Sequence, residues 1–290
     1  MSQPLTLGID VGGTSIKCSA IDPSGESQQV LRMPTPKDDR SGSETASVVT
    51  GLIERILADH DIAAIGLAVP GIVDEPSGTV ISAVNLGWQD VSFRSLIEQH
   101  VDRPIAFGQD VRTGALAEAR LGAARGFPVS VFLPIGTGVS IGTVIDGVPV
   151  ASGGWAGELG QLPVGRPGEA HRPSVESLAS ASAIANRAGC TSAIDAAEKV
   201  RQGDPLAVRV WTEAVDALAD ALAWTIGVTG AEIIVVGGGL GSAGRLLLDP
   251  LEAGLDARLG VLRRPVVAAA AFGDLSTMVG AGLIAHDLLR

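Results

Sequence analysis

The stretch LGIDVGGTSIKCSAID, residues 7–22, constrains the fold more than any other segment of the chain. Two apolar runs rich in β-branched residues, 7–9 and 16–21, flank the glycine pair Gly12 and Gly13. A glycine turn between two such runs is typical of a β-hairpin. Glycines at a tight turn allow positive φ values and let a bulky ligand approach main-chain N–H groups. The stretch therefore predicts a strand, a turn and a second strand.

The polar residues around this turn are suited to phosphate chemistry. Asp10 ends the first strand, and Thr14 and Lys17 follow the glycine pair. A carboxylate, exposed amides, hydroxyls and one ammonium within a few residues can hold a nucleotide triphosphate and its Mg²⁺. The alternative is an ordinary hairpin with a Gly-Gly turn, because glycine is common in turns. This segment alone leaves both interpretations open.

A second copy of the pattern favours the ligand-binding interpretation. Residues 131–146, VFLPIGTGVSIGTVID, align with 7–22 without a gap and place Gly136 on Gly12. A third strand followed by glycines occupies residues 233–239. Repeated units with one turn chemistry predict two related half-domains, each presenting a glycine turn to a shared cleft. The candidate turn residues of the later units are Gly136, Thr137, Gly138, Gly238 and Gly239.

Residues 239–244 also match the GxGxxG pattern of dinucleotide-binding folds. The pattern begins too close to the C-terminus for the remainder of such a domain, and no acid follows at the required distance. A glycine turn at the adenosine end of a nucleotide, or a plain strand–helix turn, is the better interpretation.

Composition narrows the class of protein. The chain has 290 residues, 46% of them hydrophobic, with few aromatics and no tyrosine, which suits a Val, Ile, Leu and Ala core of parallel strands covered by helices. The net charge of −11 disfavours binding to nucleic acids. Two cysteines form no disulfide framework, and neither a signal peptide nor a membrane-spanning run is present. We expect a cytoplasmic protein with no membrane partner.

The periodic segments predict alternating strands and helices, an α/β pattern. Helix 205–226 is strongly amphipathic, and we expect Trp211 and Trp224 to lie in its core face. The other predicted helices are 45–58, 93–99, 113–121, 175–187 and 277–289, and the other predicted strands are 28–33, 62–69, 105–107 and 266–270.

Three polar residues are candidates for work on a substrate. Asp110 follows a buried strand and precedes a helix, so it is either a general base facing a crevice or the N-cap of a helix from Thr113. Glu158 lies in a glycine-rich loop and is either a ligand to a polyol or a solvated acid. Asn85 has the same two interpretations.

These residues resemble motifs of the ROK family of sugar kinases and repressors, in the actin–hexokinase–Hsp70 ATPase superfamily, over nearly the whole chain. Residues 7–17 and 135–142 are similar to its two phosphate motifs, and 233–240 to its adenosine motif. Residues 68–71 and 85–88 match segments on the sugar side, which implies that Gly71 and Asn85 bind sugar. The resemblance implies an actin-like, ribonuclease H-like fold of two lobes with duplicated mixed sheets, 1–117 and 118–276, and a C-terminal helix, 277–290, that packs back on the first lobe.

The catalytic motifs are only partly kept. Residues 108–111 align with the family's Asn-Asp-Ala, which makes Asp110 the general base. Gln109 replaces the asparagine, and the resemblance implies that Gln109 and Asp110 both contact the sugar. Residues 157–161 align with Gly-Glu-(Ile/Leu)-Gly-His, so Glu158 is kept and Gln161 replaces a histidine that binds sugar and zinc. Glu176 aligns with a further acid that binds sugar. The family's clustered cysteines are missing between residues 161 and 176, so the resemblance carries no structural zinc here.

The resemblance implies an ATP-dependent kinase that phosphorylates a hexose, with the C6 hydroxyl as the expected acceptor. Gly12, Gly13 and Thr14 would hold phosphate together with the later glycine turns, Lys17 would face phosphate or solvent, and Asp10 would position Mg²⁺ through water. Glucose is the first expected substrate and an N-acetylhexosamine such as N-acetylmannosamine the second. Gln109 and Gln161 leave open a sugar-sensing protein without catalysis, and the donor is ATP or polyphosphate. We also expect a homodimer.

Overall fold

The computed structural model describes residues 4–165 and 172–290. Their contacts divide the chain into two compact units. The first unit spans Met1–Leu121, Pro149–Ala156 and Leu275–Arg290 in sequence, and the second spans Gly122–Val148 and Gly157–Asp274. No helix in these described ranges is both long enough and apolar enough to cross a bilayer.

The strands of the described residues, in chain order, are β1 (Leu5–Val11), β2 (Ser15–Ile21), β3 (Leu31–Pro34), β4 (Ile62–Val69), β5 (Ile72–Asp74), β6 (Thr79–Ala83), β7 (Trp88–Val91), β8 (Ile105–Gln109), β9 (Val129–Pro134), β10 (Gly142–Ile145), β11 (Val148–Pro149), β12 (Ile233–Gly237) and β13 (Val266–Ala269). The α-helices are α1 (Ser43–Asp59), α2 (Phe93–Glu98), α3 (Asp110–Arg120), α4 (Val175–Ala179), α5 (Ala181–Arg187), α6 (Ala193–Arg201), α7 (Pro205–Thr229), α8 (Gly238–Gly241), α9 (Arg245–Leu259) and α10 (Ser276–Asp287).

Two five-stranded sheets share one strand order. The first runs β3-β2-β1-β4-β8 and the second β11-β10-β9-β12-β13. In each sheet a hairpin comes first. The strands β4 and β12 then pair in parallel with the first strand of their hairpin, and β8 and β13 pair in parallel with β4 and β12. The duplicated mixed sheets predicted from the repeated hairpin are therefore confirmed. The hairpin loops differ in length, because β1 and β2 are separated by three residues whereas β9 and β10 are separated by seven.

Glycines let helix α10 lie directly on the first sheet. A Cβ on Gly8 of β1 would stand 2.1 Å from the Met278 carbonyl oxygen, and one on Gly66 of β4 would stand 1.8 Å from that of Ala281. A Cβ on Gly280 would stand 1.9 Å from the carbonyl oxygen of Thr113, so α3 packs equally tightly on α10. Any side chain at these positions would force the backbones apart. This packing fixes α3, the helix that starts at Asp110.

The core of the second unit forms around the long helix α7. Its buried face includes Trp211, whose indole N–H donates to the Leu246 carbonyl at 3.1 Å. Trp211 is 4% exposed, which confirms its predicted place in the core. Trp224 is 77% exposed, so the prediction that it is buried was wrong. The two residues are 13 positions apart, and at 3.6 residues per turn this places them on different sides of the helix.

Other departures from the sequence prediction have local causes. The predicted helix 175–187 is two helices, because Ser180 has extended backbone dihedrals and caps α5 through a bond from the Ala183 amide. The predicted strand 28–33 begins only at Leu31. Sequence periodicity also missed the short strands β5, β6 and β7, which form a separate small sheet, and helices α6 and α9.

Candidate active site

Three parallel strands of the first unit end at one edge of its sheet. In the β1–β4 pair Asp10 lies opposite Ala68, and in the β4–β8 pair Val69 lies opposite Gln109. The carboxyl ends of parallel strands are where α/β folds place their ligands. Asp10, the turn after β4 and Asp110 are therefore placed along one sheet edge by the strand register.

The first glycine turn is anchored from outside the hairpin. Gly12 donates to the Ser15 carbonyl at 3.0 Å, and the Thr35 hydroxyl donates to the Gly12 carbonyl at 2.6 Å. The Thr35 amide also donates to the Thr14 carbonyl at 3.1 Å. Gly13 and Thr14 are exposed, and the Gly13 amide donates to no acceptor in the described part of the chain. The turn is thus held by hydrogen bonds from outside the hairpin, and its exposed Gly13 amide can donate to a ligand.

Two residues predicted to bind sugar lie near this turn. Asn85 lies beside it, and Gly71 follows β4, the strand next to β1. A Cβ built on Gly13 would stand 3.2 Å from the Cβ of Asn85, which is exposed in a short 3₁₀ helix, Val84–Leu86. Gly71 has a φ of 98°, and a Cβ there would stand 2.2 Å from the Ser82 carbonyl oxygen. Only glycine permits this close return of the chain from β4 toward β6.

Asp10 and Lys17 form an ion pair across the first hairpin. They are cross-strand partners, and Lys17 Nζ lies 3.4 Å from Asp10 Oδ2. Their side chains are only 11% and 15% exposed. A partly desolvated carboxylate next to an ammonium and a glycine turn can hold either a hydrated divalent cation or a phosphate oxygen. These residues therefore fit the predicted site.

Asp110 is the first residue of α3, not its cap. The Gln109 side chain accepts a hydrogen bond from the Arg112 amide at 2.8 Å and is the N-cap. The alternative that Asp110 caps a helix from Thr113 was therefore wrong, as was the predicted helix start. Asp110 Oδ1 accepts from the Gln109 side-chain amide at 2.6 Å and from the Val111 backbone amide at 2.8 Å. Helix N-termini favour negative charge, so the position suits an ionised carboxylate.

Sequence analysis missed two charged residues next to Asp110. Glu75 Oε1 accepts from Arg112 Nε at 2.8 Å and from the Gln109 backbone amide at 3.2 Å. Arg112 is 3% exposed, and its Nη1 lies 3.5 Å from the Gly154 carbonyl oxygen. An arginine next to the apolar residues Val111, Ala115 and Leu116 of α3 was the available signal, because a buried guanidinium requires an acid.

The second glycine turn lies in the second unit and contacts one of the predicted acids. Gly136 donates to the Gly138 carbonyl at 3.1 Å, and Thr137 between them is exposed. Glu176 Oε2 accepts from the Val139 amide at 2.9 Å. A Cβ on Gly138 would stand 2.6 Å from that same oxygen. The turn and the carboxylate therefore form one packed element.

The remaining predicted residues of the second unit are placed close to this element. Glu158 is half-buried and precedes a 3₁₀ helix, Leu159–Gln161, so the loop predicted there contains one helical turn. Gln161 is exposed. A Cβ on Gly160 would stand 3.3 Å from the Glu176 Cβ, which places the 3₁₀ helix against α4.

The third glycine unit packs on the second. Gly238 has a φ of 72°, and a Cβ there would stand 2.6 Å from the Ile135 backbone. A Cβ on Gly239 would meet nothing within 4 Å. Gly239 instead lines a small cavity whose other wall is helix α6, including Ile194 and Arg201. Gly239 therefore presents an open backbone face to this cavity.

The described residues contain no group of three or more His, Cys, Asp or Glu side chains that could hold a metal ion. Cys18 and Cys190 are free thiols. His171 lies outside the described residues, so the predicted absence of a structural zinc remains a prediction.

Comparison with known proteins identifies similar sugar kinases. The sequence profile of the ROK family matches residues 6–288. A glucokinase from Halalkalibacterium halodurans is 30% identical over 281 residues, covering 87% of this chain and 85% of its own. An N-acetylgalactosamine kinase from a Shewanella species is 29% identical over 303 residues, covering 97% and 96%. The structure of a ROK family glucokinase from Streptomyces griseus, in complex with glucose and AMPPNP, matches with a TM-score of 0.87 at 26% identity, covering 98% of this chain and 99% of that one. This match confirms the predicted fold.

Proposed function

Because the chain belongs to the ROK family, we propose that it is an ATP-dependent sugar kinase that transfers the γ-phosphoryl group to a hexose hydroxyl, with Asp110 as general base. One observation carries the proposal. Asp110 stands at the carboxyl end of a parallel strand and at the start of a helix, with one carboxylate oxygen held by two N–H donors. A base for phosphoryl transfer needs this kind of fixed placement.

The proposed reaction is a single displacement at phosphorus. Asp110 accepts the proton of the sugar hydroxyl, for which the C6 hydroxyl is our choice. The sugar oxygen forms a bond to the γ-phosphorus as the bond from that phosphorus to the β–γ bridging oxygen breaks, and ADP leaves. General-base catalysis of this kind contributes roughly 10²- to 10⁴-fold in rate.

The donor side uses the glycine turns of each unit. We assign phosphate contacts to Gly12, Gly13, Thr14 and Lys17 in the first unit. In the second unit we assign them to Gly136, Thr137 and Gly138, with Gly238 and Gly239 contacting the adenosine. Two observations support these roles: the Gly13 amide is exposed and donates to no acceptor in the described part of the chain, and a Cβ on Gly239 would meet nothing within 4 Å.

Mg²⁺ fits the chemistry of the same residues. The Asp10 carboxylate would hold the ion through water, and Lys17, whose Nζ lies 3.4 Å from Asp10 Oδ2, would offset negative charge on the phosphate oxygens. When bound, the ion neutralises charge on the phosphate oxygens.

The sugar contacts are assigned to Gly71, Asn85, Glu158, Gln161 and Glu176. Glucose is the proposed substrate, since relatives along most of the chain are glucokinases. An N-acetylhexosamine is the alternative, because a relative of similar identity is an N-acetylgalactosamine kinase. That the chain forms a homodimer remains a prediction, and light scattering of the purified protein would test it.

A coupled assay for ADP release over a panel of hexoses and N-acetylhexosamines tests the proposal, with ATP and polyphosphate compared as donors. We expect the highest kcat/KM with glucose and ATP. Asp110→Asn should lower kcat by about 10²-fold or more while the sugar KM changes little. Asp204→Asn is the matched control, because Asp204 caps α7 through the Ala207 amide and asparagine caps equally well. Near-normal turnover by Asp110→Asn would refute the role of Asp110.

A further inference from the structure

The side-chain amide of Gln109 is engaged at both ends by the chain itself. Its Oε1 accepts from the Arg112 amide at 2.8 Å, and its Nε2 donates to Asp110 Oδ1 at 2.6 Å. The residue is 6% exposed. One side chain thus caps helix α3 and holds the carboxylate at the first position of that helix.

The choice of glutamine calls for an explanation beyond capping. Asn, Asp, Ser and Thr are the residues that cap helices best, and glutamine is not among them. A glutamine at the N-cap has one more methylene than asparagine. That length lets the carbonyl reach the Arg112 amide while the nitrogen reaches the neighbouring carboxylate, as the two distances show.

Glu75 and Arg112 hold Gln109 in place from the other side. Glu75 Oε1 accepts from the Gln109 backbone amide at 3.2 Å and from Arg112 Nε at 2.8 Å. Since the Arg112 backbone in turn donates to Gln109 Oε1, the three residues form a closed ring of hydrogen bonds. Side chains locked by such secondary contacts hold catalytic groups more accurately than unsupported ones.

The two donors on Asp110 Oδ1 set the plane of the carboxylate. Val111 contributes a backbone amide at 2.8 Å, and Gln109 contributes a side-chain amide at 2.6 Å. Holding one oxygen in this way fixes the direction in which the whole carboxylate faces. Donors to an ionised carboxylate form the stronger class of hydrogen bonds, so rotation of the group is costly.

We propose that Gln109 is a positioning residue for phosphoryl transfer, which acts on Asp110 and not on the sugar. The proposal rests on the proposed function of Asp110 as general base. It replaces the expectation that Gln109 is a sugar ligand, because both ends of its amide already have partners within the first unit.

Gln109→Glu separates positioning from capping and from sugar binding. Glutamate keeps the length of the side chain and an oxygen for the Arg112 amide, but it replaces the donor toward Asp110 by a second acceptor. We expect kcat to fall by about 10- to 100-fold with the sugar KM within about threefold of wild type, since the reacting geometry is lost while the sugar contacts stay in place. The acid side of the kcat–pH profile should move upward by about one pH unit, because two adjacent carboxylates share a proton. Glu75 and Arg112 are charged groups that contact Gln109 and each other.

A second measurement requires no turnover and does not depend on whether the Gln109→Glu variant folds. In the ¹⁵N-labelled full chain, the side-chain amide resonance of Gln109 should shift in Asp110→Asn and stay unchanged in the control Asp204→Asn. A sugar KM raised about tenfold with unchanged kcat would overturn the proposal and make Gln109 a sugar ligand. A Gln109 side-chain amide resonance that does not shift in Asp110→Asn would also overturn the proposal. If the wild-type chain phosphorylates no sugar, the proposed function fails, and the resonance still decides whether Gln109 holds Asp110.

Discussion

Glu176 Oε2 accepts a hydrogen bond from the backbone amide of Val139 at 2.9 Å, although the two residues are 37 positions apart in the sequence. The same oxygen would lie 2.6 Å from a Cβ on Gly138. The carboxylate assigned to sugar binding is therefore oriented by the turn assigned to phosphate binding, within one unit. A substitution in that turn should therefore move the Glu176 carboxylate directly.

Two alanine substitutions in this turn should have unequal effects on stability. Gly138→Ala places a methyl group 2.6 Å from Glu176 Oε2, so the Glu176 side chain must move and give up its hydrogen bond to the Val139 amide. We expect the unpaired amide to lower the free energy of unfolding by about 1–3 kcal/mol. Gly136→Ala meets nothing within 4 Å and should cost less than about 1 kcal/mol. Urea unfolding of both variants measures the difference. Equal losses would show that the Glu176 contact does not constrain Gly138.

The Glu75–Arg112 pair should be worth far more than a surface pair. The Arg112 side chain is 4% exposed, and Glu75→Gln would leave its charge without the carboxylate. We expect a loss of about 2–3 kcal/mol in the free energy of unfolding, below the value for a fully buried pair because Glu75 is partly solvated.

Glu98→Gln is the matched control for this prediction. Glu98 pairs with Arg94 on the surface of α2 at 3.3 Å, and losing such a pair should cost less than about 0.5 kcal/mol. Thermal unfolding of both variants gives the comparison. A Glu75→Gln protein as stable as the Glu98→Gln protein would contradict the account of Arg112.

The features that sequence predicted well are those encoded locally. The hairpin turn at Gly12 and Gly13, the strand Ile62–Val69 and the start of α7 at Pro205 each depend on residues a few positions apart. Period-two and period-3.6 patterns report which face is buried without knowledge of the partner. The duplication was equally accessible, because the repeat at 131–146 lies in the sequence itself.

The features that were missed depend on distant partners. Glu75 and Arg112 are 37 residues apart, and no local pattern links them. The break at Ser180 was missed because serine is tolerated within a helix and is also a good N-cap, and only the tertiary structure decides between the two. The start of α3 was misplaced because glutamine is an unusual N-cap.

Two tryptophans on the same helix should respond oppositely to truncation. Trp211→Ala removes a buried indole that donates to Leu246, and we expect a loss of about 3–5 kcal/mol. Trp224→Ala changes an exposed side chain and should cost less than about 0.5 kcal/mol. Urea unfolding at two protein concentrations checks both values. A large, concentration-dependent loss in Trp224→Ala would instead show that a second copy of the chain covers this residue.

Cys18 should make stability depend on alkaline pH. It is fully buried in β2, and burial raises the pKa of its thiol to about 11, partly opposed by the positive charge of Arg55. The unfolded chain loses this proton near pH 9, so between about pH 9 and 11 the folded state binds more protons than the unfolded state. The free energy of unfolding should therefore fall across this range, by about 2 kcal/mol from this group. Below pH 9 the contribution is fully present.

Cys18→Ala isolates this effect, because alanine removes the titrating group at the cost of a small cavity. The difference in unfolding free energy between wild type and variant should be constant from pH 7 to about 9 and should shrink as the pH approaches about 11. The chain has no tyrosine, so no phenol titrates in the same window. Urea unfolding of both proteins across this range provides the measurement. A difference that stays constant through pH 11 would mean that the Cys18 thiol ionises in the folded chain as easily as in the unfolded one.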